Sequence, residues 1–179
     1  MTEHPLLRLP PRDEDGHVNV VVETPRGSVH KLTFDAERGV MVLKKALPAG
    51  LAFPFEFGFV PRTVADDGDP VDVVVLLDGA VPPAVVVAAR LVGVIEAEQR
   101  RDGETQRNDR LVAVGVLSRR FGEVREVDEL PSALLDDLSR FFAAYTTALG
   151  TDFRVLGRSG VERANALLDA AIARADADR

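Results

Sequence analysis

Residues 65–77, ADDGDPVDVVVLL, put four aspartates within seven positions and then run into five apolar residues. Pro70 has no backbone N–H, and Asp67-Gly68-Asp69-Pro70 is turn chemistry, so no helix passes through the motif. Residues 71–77 read as a strand covered on both faces, because nothing polar alternates after Asp72. A solvated turn accounts for Asp66, Asp67 and Asp69. It does not account for Asp72, which lies inside the strand, where an unpartnered carboxylate is costly. Either the cluster stays hydrated or a cation meets it, and oxygen donors of this kind suit Mg²⁺, Mn²⁺ or Ca²⁺. The spacing is not that of a calcium loop, since residue 71 is Val and the sixth position holds no Gly.

Working outward, residues 18–24 (VNVVVET) read as a strand, with a turn after it at 25–28. Residues 29–35 and 40–45 form a hairpin around 37–39. In FPFEFGF, Phe53, Phe55, Phe57 and Phe59 recur at period two, which predicts an extended segment with one apolar face. Residues 84–98, bent at Gly93, and 110–117 are further strands, with 99–109 (QRRDGETQRND) an exposed polar loop between them. From Pro131 the period changes: Leu134, Leu135, Leu138, Phe141, Phe142, Tyr145 and Leu149 recur at helical spacing. A second amphipathic helix covers 161–175. Strands first and helices last predict one α+β domain over 1–179, its antiparallel sheet closed into a small barrel.

Composition narrows the function. The net charge of −7, one tyrosine and no tryptophan argue against a nucleic-acid surface. The absence of cysteine excludes thiolate chemistry and a disulfide framework. No apolar run approaches the roughly 20 residues of a membrane span, and the N-terminus lacks the form of a signal peptide, so the expected location is the cytoplasm. Arginine outnumbers lysine nineteen to three, and the three lysines, Lys31, Lys44 and Lys45, fall in one short stretch. Glu23, Lys31 and Lys45 beside the aspartates are the parts of a metal-assisted phosphoryl-transfer site.

At this point FGFVPRTVADDGDPVDVVVL resembles the DGDPxD signature of the soluble family I inorganic pyrophosphatases and the segment before it. The resemblance extends to ETPRGSVHK, LVGVIEAE, DRLVAV and FFAAYTTALG, over about residues 18–155. It implies a five-stranded OB-like barrel with two helices in the C-terminal half, hydrolysis of pyrophosphate to two phosphates, and Mg²⁺ as cofactor with Mn²⁺ as the alternative. A homo-oligomer is implied as well, commonly a hexamer, with no membrane or nucleic-acid partner. The resemblance gives Asp67 and Asp72 as metal ligands, Asp69 as the carboxylate that takes the proton from water, and Glu23 as an outer metal-site carboxylate. Lys31, Lys45, Arg110 and Tyr145 match substrate contacts.

The departures from the family pattern are specific. Lys45 stands for an arginine, Phe53 and Phe57 for tyrosines, Thr33 for a glutamate, Thr146 for a lysine and Arg110 for a lysine. Gln99 and Asn108 fall where two metal-binding aspartates are expected, so Asp109, Asp102 or Glu98 is the expected substitute. Two other readings stand beside the enzyme: a pyrophosphatase-fold protein that binds phosphate or a nucleotide with little hydrolysis, and an oligonucleotide-binding barrel.

Overall fold

The computed structural model describes residues 4–101, 103–148 and 150–177; Asp102 and Leu149 lie outside the described residues. A helical turn, α1 (Pro5–Arg8), precedes β1 (Val18–Thr24) and the hairpin of β2 (His30–Asp35) and β3 (Val40–Ala46). Then come β4 (Glu56–Phe59), β5 (Asp72–Leu76), β6 (Val86–Arg101), β7 (Glu104–Arg107) and β8 (Arg110–Gly115). The chain ends with α2 (Ser132–Ala148), β9 (Asp152–Gly160) and α3 (Val161–Ala177).

Five strands close on themselves. β1 pairs β4, β4 pairs β5, β5 pairs β8, β8 pairs β6, and β6 returns to β1. Closure leaves these strands no free edge, which suits a run such as VDVVVL that is apolar on both faces. The α+β, OB-like expectation holds, with two corrections. The sheet has seven strands, because β7 and β9 extend it beyond the ring along β6. It is also not wholly antiparallel: β5 and β8 run parallel, Val73 opposite Leu111 through Leu76 opposite Val114.

Residues 99–109 are a further correction. Instead of an exposed loop, β6 continues to Arg101 and folds back as β7, with Glu98 opposite Arg107. Polar side chains conceal the strand, because both faces of this projecting ribbon meet water. β9 was not expected at all; its two glycines and three outward charges carry no period.

The phenylalanine ladder does not form a single face. A register shift between Val22 and Thr24 twists β4 against β1. Phe57 packs with Phe53 and Phe142, while Phe59 faces Phe34 in a separate cluster with Val21. Helix α2 lays Leu135, Leu138, Phe141 and Phe142 on the first cluster. On the other side α3 presents Ala164, Leu168, Ala171 and Ala175, small enough for the helix to lie close against β6. No helix among the described residues is long and apolar enough to cross a membrane.

Glu56, the polar alternate of the ladder, is wholly buried, and among the described residues no side chain donates to its carboxyl oxygens. Burial pushes its pKa above the usual carboxylate range. Between its unfolded and folded pKa values a raised acid is protonated in the fold and ionised in the unfolded chain. Its contribution is therefore complete below the unfolded pKa and is lost as pH rises through the folded one. Each pH unit of separation is worth about 1.4 kcal/mol. Glu56→Gln should accordingly raise Tm at neutral pH and flatten its decline with pH. Melting curves of the two proteins that run parallel across that range would contradict this account.

Candidate active-site cleft

Two concavities meet at Asp72. The larger, about 500 Å³, is lined by Glu23 from β1, Lys31 and Thr33 from β2, Lys44 and Lys45 from β3, Asp69, Asp72 and Tyr145. The smaller, about 40 Å³, has Asp67 and Asp72 on one side and Asn108, Asp109 and Arg110 on the other. Asp72 opens β5 and borders both. The turn before it is held locally: the Asp69 amide donates to Asp67 Oδ1 at 3.2 Å, and Gly68 takes φ +86°. That φ is one that glycine reaches without strain.

Opposite the turn, Glu23 and Lys31 form a buried pair. Lys31 Nζ lies 3.4 Å from Glu23 Oε2, and Glu23 Oε1 accepts the Phe34 amide at 2.7 Å. Burial raises the Glu23 pKa, with Lys31 opposing. Burial lowers that of Lys31, with Glu23 and Asp72 opposing. The ammonium sits 4.0 Å from the Phe57 ring centroid and 6.0 Å from that of Phe53. Phenyl rings are thus its flat walls, and the cation–π attraction offsets part of its desolvation. Lys45 is the cross-strand partner of Lys31 and is exposed at the rim.

Tyr145 serves both readings of its position. Its ring stacks on Phe141 and meets Phe53 edge-on, yet it also lines the larger cavity. Burial pushes its pKa up to about 12, so the hydroxyl stays a donor at neutral pH.

In the smaller pocket Arg110 is central. It is buried, its guanidinium lies 5.7 Å from the ring centroids of Phe57, Phe142 and Phe153, and Nη1 is 2.7 Å from Asp72 Oδ2. The same nitrogen donates to Asn108 Oδ1. Asp67 has no such partner among the described residues. Burial, then the neighbouring Asp72 and Asp69 carboxylates, raise its pKa.

The sequence expectations divide accordingly. Glu23, Lys31, Lys45, Asp69, Asp72 and Tyr145 share the larger cavity, while Asp67, Asp109 and Arg110 line the smaller one with Asp72. Asp109, expected as a substitute ligand, lines the smaller pocket with its carboxylate already engaged. Both its oxygens accept from Arg107, and Oδ1 also accepts the Ala97 amide at 2.9 Å. Asn108 and Arg110 share one face at the start of β8, so the residue between them is turned to the other. Glu98 is likewise engaged, 3.0 Å from Arg154. Lys44 was not assigned a role from sequence, although its place in the lysine stretch marked it; Arg107 and Arg174, which also line the smaller pocket, carried no signal. Away from both cavities, Asp13, Asp15 and His17 bring ligand atoms within 4.8 Å of one another. That cluster is a turn in which Asp13 Oδ1 accepts the amides of Asp15 and His17.

Comparison with known proteins agrees with this architecture. The family model described as Inorganic pyrophosphatase matches residues 20–176. The inorganic pyrophosphatase of Nostoc is 32% identical over 167 residues, covering 93% of this chain and 96% of the relative. That of Geobacillus stearothermophilus is 32% identical over 161 residues, covering 90% and 95%. Among solved structures, the inorganic pyrophosphatase from Thermus thermophilus superposes with a TM-score of 0.88 at 30% identity, covering 96% of this chain and 98% of the other.

Proposed function

The chain belongs to the inorganic pyrophosphatase family, and we propose from that premise that it hydrolyses pyrophosphate to two phosphates with a divalent cation, Mg²⁺ by preference and Mn²⁺ as the alternative. The observation that carries this reading is the convergence of Glu23, Lys31, Lys45, Asp69, Asp72 and Tyr145 on one cleft. Carboxylates and ammonium groups in a single cavity are what a tetra-anionic substrate and a hard cation need together.

The donor set fits such a cation. Asp67, Asp69 and Asp72 offer only hard oxygen atoms, and burial, followed by the Asp72 and Asp69 carboxylates, raises the Asp67 pKa. Asp67 and Asp72 would hold the ion, with Glu23 at the outer edge of the site. When bound, it supplies charge neutralisation at the phosphoryl oxygens and acidifies water.

The protein groups have separate tasks. Lys31 and Lys45 bind phosphate oxygens from the hairpin side, and the Tyr145 hydroxyl donates to the same group. Asp69, exposed at the cleft wall, takes the proton from the attacking water. As water oxygen bonds to one phosphorus, the P–O–P bridge breaks and its electron pair leaves with the second phosphate. A cytoplasmic homo-oligomer goes with this reading as a family expectation.

Phosphate release from pyrophosphate, with and without Mg²⁺, tests it. Lys31→Ala should lower kcat/KM on the order of ten- to a hundredfold, the value of a charge-assisted hydrogen bond of about 1.5–3 kcal/mol. Its Tm should fall by less than the kinetics do, since deleting the ammonium removes one desolvation cost while leaving the buried Glu23 without its partner. Binding of phosphate without Mg²⁺-dependent release would replace hydrolysis with the binding-protein reading. A large fall in Tm with normal kinetics would make Lys31 structural.

A further inference from the structure

We infer that Arg110 is a resident cation of this site, competing with divalent metal for Asp72 and so setting the metal concentration the site requires. The inference rests on the hydrolytic reading above and concerns what this chain has built beside the common ligands.

Two features of Arg110 make it a fixed charge. A guanidinium does not deprotonate in a protein. Here its side chain is also enclosed: it is 7% exposed and lies among Phe57, Phe142 and Phe153 at equal centroid distances. Nη1 reaches Asp72 Oδ2 at 2.7 Å and the carbonyl of Asn108 together. The Asp72 oxygen facing the smaller pocket therefore already has a charge-assisted partner.

The surrounding charges act in the same direction. Four aspartates line the smaller pocket, Asp66, Asp67, Asp72 and Asp109, along with three arginines, Arg107, Arg110 and Arg174. Three of the aspartates are paired: Asp66 with Arg174 at 2.9 Å, Asp72 with Arg110 at 2.7 Å and Asp109 with Arg107 at 2.8 Å. Among the described residues Asp67 alone is left, and Asn108 brings an amide but no charge. An ion approaching Asp67 and Asp72 thus meets one free carboxylate, one shared carboxylate and a like-charged neighbour. Hard cations are held chiefly by anionic oxygen, so affinity here is lowered by Arg110 more than by any missing contact.

Mn²⁺ titration of the apo-protein, by calorimetry or by loss of the free-ion paramagnetic signal, tests this without reference to turnover. Arg110→Gln should bind Mn²⁺ at least tenfold more tightly than wild type. Asn108→Asp, which keeps the arginine, should gain less than threefold, because Arg110 pairs with the new carboxylate as it does with Asp72. Folded Arg110→Gln with unchanged or weaker Mn²⁺ affinity overturns the inference. A gain of tenfold or more in Asn108→Asp does so too, and decides the matter if Arg110→Gln does not fold. Pyrophosphate hydrolysis by the wild-type protein is measured separately, so failure of the hydrolytic reading is distinguishable from failure of this one.

Discussion

Asp72→Asn is expected to abolish divalent-cation binding and to cut pyrophosphate hydrolysis by at least about a hundredfold, the range seen when a preorganised electrostatic group is removed from a reacting centre. The residue borders both cavities, and Arg110 holds one of its oxygens at 2.7 Å; in the proposed site the metal competes for that same carboxylate. The amide keeps the shape and can still accept from Arg110, but it contributes no charge to the ion. Folding should suffer less than function. Asp72 retains 28% side-chain exposure, and the lost ion pair is partly replaced by a hydrogen bond, so a cost of about 1–2 kcal/mol is expected. Mg²⁺ or Mn²⁺ calorimetry on the variant decides the point. Binding equal to wild type would leave the proposed metal site without its principal ligand.

The second large effect concerns the fold. Gly58→Ala should destabilise the protein by about 3 kcal/mol, the upper end for overpacking a close-packed interior. A Cβ at this position would lie 2.0 Å from the Val21 carbonyl oxygen and 3.0 Å from Val22 Cα. Those atoms belong to the backbone of β1, which is paired on both sides in the ring and has no room to retreat. Because β4 carries Phe57 beneath Lys31 and pairs with Asp72 through Phe59, the displacement also reaches the cleft. Gly79→Ala is the control, since nothing lies within 4 Å of its added methyl. Urea unfolding should separate the two variants clearly. A change at Gly58 no larger than at Gly79 would mean that β1 and β4 can move apart at little cost.

Several site features follow from local chemistry that any reader of the chain can apply. Pro70 and Gly68 force a turn, Val73, Val74 and Val75 force a strand, and their junction puts Asp72 at a strand mouth. The three lysines fall on one hairpin because residues 30–46 fold on themselves through a short turn, and hairpin register follows from loop length. The helices were legible for the same reason: α2 and α3 carry their period within their own residues.

What the tertiary structure alone decided depends on partners far apart in sequence. The parallel pairing of β5 with β8 joins segments separated by a long crossover, and no local signal specifies its direction. β9 exists because β6 offers it an edge, not because 152–160 has a strand pattern of its own. Asp109 looked as available to the site as Asn108, yet a strand turns successive side chains to opposite faces, and Arg107 and the Ala97 amide were waiting on the other one. The phenylalanine period predicted one apolar face, yet closure of the ring also buries Glu56, between Phe55 and Phe57. Arg110 read as a phosphate contact, and its partner proved to be Asp72, 38 positions earlier, reached only because β5 and β8 lie side by side. Turns and periods are written in neighbouring residues, whereas the face a side chain meets is set by the register of strands that find one another across the fold.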